Sequence, residues 1–185
     1  MCVCMDVTVQ RRNEMSDSGM GDVTGAEEDM GMRRVGMMLM GAGRIEEGFG
    51  HFGNEVTAED HILEAGLGFA VKTDKPDFMG RDAVLRKKEA GLDMRLVQFK
   101  LTDPEPLLYH NEPVMRDGEV VGYLSSGVYG HHVGAAMGMG YVPCKGETVA
   151  ELLASDFEID VMGTKVKAEA SLKPFYDPKS ERVKA

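Results

Sequence analysis

The stretch PVMRDGEVVGYLSS, residues 113–126, carries the clearest structural signal in the chain. Asp117 and Gly118 stand between two runs rich in valine and other strand-forming residues. A tight two-residue hairpin turn favours an Asp-Gly pair, because both central positions of the turn adopt positive φ. The pattern therefore predicts two antiparallel strands joined at these two residues.

Further strands are predicted on both sides of this hairpin. Large or apolar side chains alternate with small or polar ones in three runs: RLVQFKL (95–101), AAMGMGYV (135–142) and FEIDV (157–161). Met162-Gly163 separates the last of these runs from KVKAEA (165–170) and predicts a second hairpin. Residues 149–154 are predicted as a loop or a helical turn. Several short strands with Gly-rich turns over residues 95–172 indicate a small antiparallel barrel or sandwich.

Two segments before these strands are predicted as helices. Residues 35–49 (VGMMLMGAGRIEEGF) combine an apolar start with a charged end, although their glycines lower the helix propensity. The predicted core contacts of this helix are Met38, Met40 and Ile45. Residues 81–90 form the stronger helix, with cationic side chains in the last turn and Gly91 just beyond it, as helix ends prefer.

The segment between these helices predicts one further helix start and one strand. Thr57 precedes Ala58-Glu59-Asp60, which is typical of an N-cap followed by acidic residues in a first helical turn. Residues 64–72 (EAGLGFAVK) alternate large and small side chains and predict a short strand. The fold class expected from all these signals is α+β, with a short α/β segment followed by a small antiparallel β-barrel or sandwich.

Composition limits the classes of function that the chain can have. The 185 residues carry 31 Asp and Glu against 21 Lys and Arg, a net charge of −10, which argues against nucleic acid as the main partner. No apolar run approaches the length of about 20 residues that spans a membrane. Three cysteines are too few to predict a disulfide framework and favour a reducing compartment, the cytoplasm or, in a eukaryote, the mitochondrial matrix.

The chain is predicted to divide into three parts. Residues 1–34 are rich in Met and Gly, show no sustained hydrophobic period and are interpreted as a poorly ordered leader. Residues 35–93 form the α+β segment, and residues 94–185 form the barrel domain with a C-terminal tail.

A histidine pair, a serine pair and a cysteine could suggest catalysis or metal binding, but a structural role is the better interpretation of each. His131 and His132 are adjacent, and neighbours on a strand point to opposite faces, so a turn or surface position is favoured over a metal site. Ser125-Ser126 lacks the glycine two positions before the serine that a nucleophile elbow requires. Cys144 is interpreted as a structural loop cysteine, although Lys145 beside it would favour a thiolate.

The run Arg44-Ile45-Glu46-Glu47, which leads into GFGHFG (48–53), is the strongest candidate for binding. A carboxylate can accept two donors from a flat heteroaromatic ring, and Phe49 and Phe52 would supply apolar walls. The alternative interpretation is that the two glutamates are solvated helix charges paired with Arg44.

Several segments together resemble the glycine cleavage T-protein (aminomethyltransferase) superfamily. They occur in the family's order from about Val35 to the C-terminus: RIEEGFGHFGNEVTAEDHILEAGLGFAVK, DFMGRDAVLRKKEAG, EPLLYHNEPVMRDGEVVGYLSSGVYGHHVGAAMGMGYV and KPFYDP. The resemblance points in particular to the C-terminal folate module of dimethylglycine and sarcosine dehydrogenases. It implies a clover-like arrangement around a tetrahydrofolate channel, with a small β-barrel as the last part.

The resemblance also implies a one-carbon transfer to folate and a set of folate-binding residues. The glutamate of the family's R-[LI]-E-x-G motif, which contacts the pterin, falls on Glu46, and the aromatic residue of the following aromatic-Gly pair falls on Phe52. A C-terminal aromatic residue near the channel falls on Tyr176, and a basic residue that reaches the folate falls on Lys72 or Lys75.

The chain differs from the family pattern at its N-terminal side. Nothing in residues 1–34 matches the segment that carries the family's acidic residue near folate N5, so the catalytic residue is unknown. No Gly-rich phosphate fingerprint marks an FAD site. The expectation is an incomplete C-terminal module that needs a second chain supplying the N-terminal folate domain, or an FAD subunit. The alternative is a non-catalytic barrel scaffold or interaction module without folate affinity.

Overall fold

The computed structural model of the chain describes residues 35–182 and residue 184, and the predicted leader, residues 1–34, lies outside them. Within the described residues, three α-helices accompany six strands, together with a short 3-10 helix at Gly68–Ala70. The helices are α1 (Met37–Glu46), α2 (Arg81–Ala90) and α3 (Val149–Ala154). The strands are β1 (Met94–Leu101), β2 (Pro113–Arg116), β3 (Glu119–Gly130), β4 (Ala135–Pro143), β5 (Phe157–Val161) and β6 (Thr164–Ser171).

The six strands form a closed antiparallel barrel in the order β1-β4-β3-β2-β5-β6, with β6 paired back onto β1. Both predicted hairpins are confirmed. Asp117 and Gly118 adopt φ of 53° and 90° between β2 and β3, and Met162 and Gly163 adopt φ of 54° and 86° between β5 and β6. The α+β class with a small antiparallel barrel, as predicted, is the observed architecture.

The barrel interior holds one apolar core built from alternate residues of its strands. Phe99 on β1 and Phe157 on β5 are both buried and meet edge to face with their ring centroids 5.3 Å apart. Leu152 of α3 is buried against the same core. Thr148 begins α3 with a capping box, in which its side chain and that of Glu151 each satisfy a backbone N–H of the other.

One barrel glycine permits a very close approach between backbone segments. A Cβ placed on Gly127 of β3 would lie 2.6 Å from the carbonyl carbon of Leu108 and 2.6 Å from the backbone nitrogen of Tyr109. The segment before β2 therefore crosses directly over β3 at this position. Only a residue without a side chain fits there.

The predicted strand at residues 64–72 is wrong, because this segment satisfies its backbone groups locally. The N–H of Ala65 donates to the carbonyl of His61 at 3.0 Å, and that of Leu67 donates to Ile62 at 3.0 Å. Gly66 adopts a φ of 75°, which turns the chain. The alternating large and small residues thus lie in consecutive turns and a 3-10 helix, not in a strand.

The helix expected after Thr57 is also absent from the described structure. The Asp60 carboxylate accepts hydrogen bonds from the backbone N–H and the hydroxyl of Thr57, at 2.7 and 2.8 Å. These bonds close an isolated turn, and a second turn begins at His61. Thr57 and Asp60 therefore form the hydrogen bonds of a helix start, but no helix follows them in the described structure.

α1 is a helix as predicted, but two of its expected core contacts are exposed. Ile45 is fully buried, whereas Met38 and Met40 expose 81% and 64% of their surface. The reason is that only the C-terminal half of α1, through Ala42, Ile45 and Glu46, is buried against the barrel.

An ion-pair cluster fixes α2 and the turn region to the start of β1. The ammonium group of Lys87 lies 2.8 Å from Glu64 and 2.6 Å from Asp93. Its hydrogen bond lowers the pKa of Asp93. Burial raises the pKa of Glu64, but hydrogen bonds from Lys87 and from the backbone N–H groups of Met94 and Asp93 outweigh it, so that the net pKa is lowered.

We expect this cluster to make the protein less stable in acid. Both carboxyls have lower pKa values in the folded state, so their contribution is complete above their ordinary values of about 4 and is lost as the pH falls through the lowered ones. Lys87→Met should therefore flatten the decrease of the melting temperature between pH 5 and pH 3. Lys88→Met, at an exposed neighbouring position that forms no ion pair within the described residues, is the control. Identical pH profiles for the two variants would contradict this expectation.

Candidate functional site

The end of α1 brings two adjacent glutamates to the side of the barrel. Glu46 is the last residue of the helix and Glu47 is its C-cap, whose N–H donates to the carbonyl of Gly43 at 3.0 Å. Gly48 follows with a φ of 72°, which turns the chain away from the helix axis. Pro174 of the C-terminal tail packs against Gly48, so the tail passes over this turn.

Glu46 is buried and is held by the turn between β3 and β4. Its Oε1 accepts hydrogen bonds from the backbone N–H groups of His132 and Val133, at 2.6 and 3.0 Å. Its Oε2 lies 3.0 Å from Nδ1 of His132. Only 2% of Glu46 is exposed. The carboxylate thus joins α1 to a turn that lies 86 residues further along the chain.

The C-terminal tail covers this contact. The ring of Tyr176 stacks on that of His132 with centroids 4.5 Å apart. The N–H of Tyr176 donates to the carbonyl of Glu46 at 3.2 Å, and the Arg182 guanidinium donates to the Tyr176 hydroxyl. The structure therefore brings together two of the residues predicted for the site, Glu46 and Tyr176, through a histidine predicted to lie in a turn.

A second cluster, which the sequence did not predict, surrounds Arg44. Its guanidinium donates to the Glu55 carboxylate at 3.0 Å and to the Ser126 hydroxyl at 2.9 Å. The same Glu55 oxygen accepts the N–H of His51 at 2.6 Å, and Glu55 is fully buried. Ser126 therefore serves as a partner of Arg44. These contacts bind α1 and the loop after it to β3.

A cavity of about 510 Å³ lies between the turn after α1, the turns near Ala65, the outer face of the barrel and the C-terminal tail. Its walls are largely apolar. The apolar side chains that form them are Phe49, Val56, Ala65, Leu67, Phe69, Leu96, Met139, Leu172, Pro174 and Pro178. Glu47, Gln98 and Lys173 are among its polar lining residues, whereas Glu46 is not part of the lining.

The other predicted site residues lie away from Glu46 and Tyr176. Phe52 is 74% exposed and does not line the cavity, where Phe49 takes the position of an apolar wall. Lys72 and Lys75 border a shallower concavity of about 290 Å³ next to Phe78. The structure thus separates the predicted set into buried Glu46 with half-buried Tyr176 and exposed positions at Phe52, Lys72 and Lys75.

The histidine pair and Cys144, which the sequence analysis considered as chemical groups, lie in a turn and in a buried position. His131 and His132 lie in the turn between β3 and β4, and no group of three metal-binding side chains forms within residues 35–182 and 184. Cys144 is buried, and burial raises the pKa of its thiol. None of the helices in the described part of the chain has the length and apolar character that crossing a bilayer requires.

Two family models match the chain. Residues 94–177 match the glycine cleavage T-protein C-terminal barrel domain, and residues 10–75 match the GCVT N-terminal domain. The second match begins at residue 10, so the similarity starts earlier than Val35, where the sequence motifs begin.

Individual proteins are also similar to the chain over most of its length. The chain is 38% identical over 160 residues to 4-methylaminobutanoate oxidase (formaldehyde-forming) of Paenarthrobacter nicotinovorans, covering 86% of this chain and 19% of the relative. It is 33% identical to the mitochondrial sarcosine dehydrogenase of Homo sapiens, covering 83% of this chain and 17% of that protein. The chain therefore spans less than a fifth of either relative.

A solved structure shares the fold. The aminomethyltransferase T of the glycine cleavage system from Bartonella henselae superposes with a TM-score of 0.73 at 22% identity. The superposition covers 88% of this chain and 45% of the other.

Proposed function

The chain belongs to the glycine cleavage T-protein family, and from that premise we propose that it is the barrel-bearing part of an enzyme that transfers a one-carbon unit to tetrahydrofolate. The observation that carries the proposal is the cavity beside the family's R-I-E motif. Its volume of about 510 Å³ falls within the usual range of small-molecule sites. Its apolar walls and few polar groups suit a flat heteroaromatic ring.

The residues of the chain fit such a ligand in chemical type. Phe49, Leu96 and Met139 offer apolar contact to a ring, and carboxylates can accept its N–H groups. When bound, reduced folate supplies the nitrogen that accepts the one-carbon unit. The part of this chain is to bind and orient the ring and to exclude water from it.

The four residues carried over by the resemblance take different parts in this proposal. Glu46 and Tyr176 hold the end of α1 and the C-terminal tail in place beside the cavity, because both contact His132 in the turn between β3 and β4. Phe52 and Lys72 are assigned to outer parts of the ligand, which their exposure supports. A positive charge at Lys72 suits the carboxylates of the folate tail.

Binding of a stable reduced folate tests the proposal directly. In a calorimetric titration of the chain with 5-formyltetrahydrofolate, we expect a dissociation constant in the micromolar range. Phe49→Ala should weaken binding about tenfold, because it removes an aromatic wall of the cavity. Tyr109→Ala, at an aromatic residue of similar exposure in the segment before β2, is the matched control. An absence of heat with folded protein would favour the alternative, a barrel scaffold without folate affinity.

A polypeptide partner is part of the same proposal. Val35 and the first turn of α1 expose an apolar surface, formed by Val35, Met37, Met38, Leu39 and Met40. We assign this surface to contact with a further part of the family's N-terminal domain, because α1 lies within residues 10–75, which match that domain. Adding the separately produced N-terminal domain of the Bartonella henselae aminomethyltransferase should tighten 5-formyltetrahydrofolate binding. Unchanged affinity would contradict this assignment.

The compartment is a proposal of the same kind. Cys144 is a free thiol in the described structure, which suits the cytoplasm or, in a eukaryote, the mitochondrial matrix.

A further inference from the structure

The loop that follows α1 forms one wall of the cavity. We call it the glycine loop, residues 48–56, and it lines the cavity through Phe49, Gly50 and Val56. Three of its first six residues are glycine, and glycine loses more conformational freedom on folding than any other residue. Ordering such a segment therefore has a large entropic cost. Contacts with the rest of the chain have to hold the loop if the wall is to exist before a ligand binds.

The glycine loop closes on itself through one carbonyl group. The His51 carbonyl accepts the N–H groups of Asn54, Glu55 and Val56, at 3.1, 3.1 and 3.3 Å. The N–H of Gly53 donates to the carbonyl of Val56 at 2.8 Å. These local hydrogen bonds set the shape of the loop, but they do not determine where the loop lies against the barrel.

Arg44 links the glycine loop to the barrel. Phe49 is held on both sides, because its N–H donates to the Arg44 carbonyl at 2.7 Å and its carbonyl accepts from the Arg44 guanidinium at 3.2 Å. The same guanidinium donates to the Glu55 carboxylate and, on β3, to the Ser126 hydroxyl. One side chain thus contacts both ends of the loop and a barrel strand.

Glu55 fixes the position of the guanidinium. Its buried Oε2 accepts from Arg44 at 3.0 Å and from the N–H of His51 at 2.6 Å. Hydrogen bonds to a buried carboxylate are strong, because water does not reach it to replace the donors. Neither Arg44 nor Glu55 belongs to the cavity lining in the described structure. The pair therefore acts on the cavity through the loop and not through contact with a ligand.

We propose that Arg44, fixed by Glu55, is a positioning residue that holds the glycine loop in the conformation that binds the ligand. This inference rests on the proposed function and identifies a residue that determines affinity without touching the ligand. A loop that is ordered in advance does not have to be ordered at the expense of binding free energy. The apolar wall at Phe49 is the part of the site that depends on this link.

Arg44→Lys separates positioning from charge balance. Lysine keeps a positive charge beside Glu55, but one ammonium group does not reproduce the planar guanidinium that reaches Phe49, Glu55 and Ser126 together. We expect 5-formyltetrahydrofolate to bind about tenfold more weakly in a calorimetric titration, because the ligand then has to order the loop. The melting temperature should stay within about 4 °C of the parent value, since no buried charge is left unpaired.

Arg116→Lys is the matched control. The Arg116 side chain is 15% exposed, against 20% for Arg44, and its guanidinium also joins a carboxylate to a hydroxyl, those of Glu147 and Ser155. Neither Arg116 nor its two partners belong to the cavity lining in the described structure. We therefore expect this variant to bind 5-formyltetrahydrofolate as tightly as the parent chain.

Hydrogen exchange measures the loop independently of affinity. In Arg44→Lys, the backbone N–H groups of residues 48–56 should exchange faster than in the parent chain, and saturating 5-formyltetrahydrofolate should restore their protection. A second variant replaces both Arg44 and Glu55 by methionine, so that no charge is left buried. This variant should fold and still bind the ligand about tenfold more weakly, because the Phe49 carbonyl has lost its donor.

The outcomes distinguish the inference from the proposed function. Binding as tight as that of the parent in both Arg44→Lys and the double variant would overturn the inference and leave the proposed function intact. An equal loss of affinity in Arg116→Lys and Arg44→Lys would also overturn it, because the effect would then reflect a general loosening of the barrel. An absence of binding by the unsubstituted chain would overturn both.

Discussion

Replacing Arg44 by methionine is expected to destabilise the protein by about 3–5 kcal/mol. Arg44 provides the charge that balances Glu55, which is fully buried and has one carboxylate oxygen without a hydrogen-bond partner in the described structure. Without the guanidinium, the carboxylate stays buried with only the N–H of His51 as a donor. Desolvation of an unpaired charge then opposes folding. Urea denaturation followed by circular dichroism measures the loss.

Two further variants distinguish charge balance from simple loss of packing. The double replacement of Arg44 and Glu55 by methionine should recover a large part of the stability, because no charge is then left buried. Arg86→Met, at an exposed position of α2, should stay within about 0.5 kcal/mol of the parent. A loss of less than about 1 kcal/mol for Arg44→Met would show that water reaches Glu55 and that the pair is not a true buried ion pair.

Gly127→Ala is expected to cost at least about 3 kcal/mol, the upper end of the usual penalty for overpacking. The added methyl group would meet the backbone at Leu108 and Tyr109 at 2.6 Å. A flexible side chain can move aside, but here a crossing chain segment has to shift away from β3. The effect appears as a lower urea midpoint or, in the extreme, as a failure to recover folded protein.

Gly41→Ala is the matched control for this replacement. Gly41 lies within α1, and a Cβ there meets no atom within 4 Å. Alanine should therefore stabilise the protein by up to about 1 kcal/mol through helix propensity alone. Equal effects of the two substitutions would mean that the crossing segment yields without strain and that the close approach at Gly127 has no energetic weight.

The barrel was predictable because its signals are local. Alternating residues define β1, β4 and β5, and the turn pairs Asp117-Gly118 and Met162-Gly163 adopt the positive φ values of tight hairpin turns, which the glycine of each pair accepts without strain. Each of these signals lies within a few residues of the structure that it specifies. The order in which the strands close the barrel depends on contacts between distant segments, and the sequence alone did not distinguish a barrel from a sandwich.

The segment between α1 and α2 was harder to predict because its signals conflict. Thr57 and Asp60 form the local hydrogen bonds of a helix start, but the chain turns again at His61. Gly66 interrupts the alternation in residues 64–72 with a left-handed conformation. Packing against the barrel determines the outcome here, because local preference alone does not decide it.

The candidate site shows the same limit. The R-I-E-E run pointed to a carboxylate, but only the structure shows that His132 and Val133 hold Glu46 and that Glu47 lines the cavity. The alternative in which both glutamates are solvated charges paired with Arg44 is wrong for Glu46, which is buried, and Arg44 pairs with Glu55 instead. No sequence spacing joins residues 86 positions apart.

The closure between β1 and β6 has a consequence for how this domain meets other polypeptides. A closed sheet leaves no row of unpaired backbone groups on which an incoming strand can be templated. Strand addition, domain exchange through a sheet edge and growth into fibrils from the folded barrel are all disfavoured for that reason. Recognition of this module must therefore depend on its side chains. The same barrel can then be joined to different neighbouring domains without offering an unpaired strand edge for aggregation.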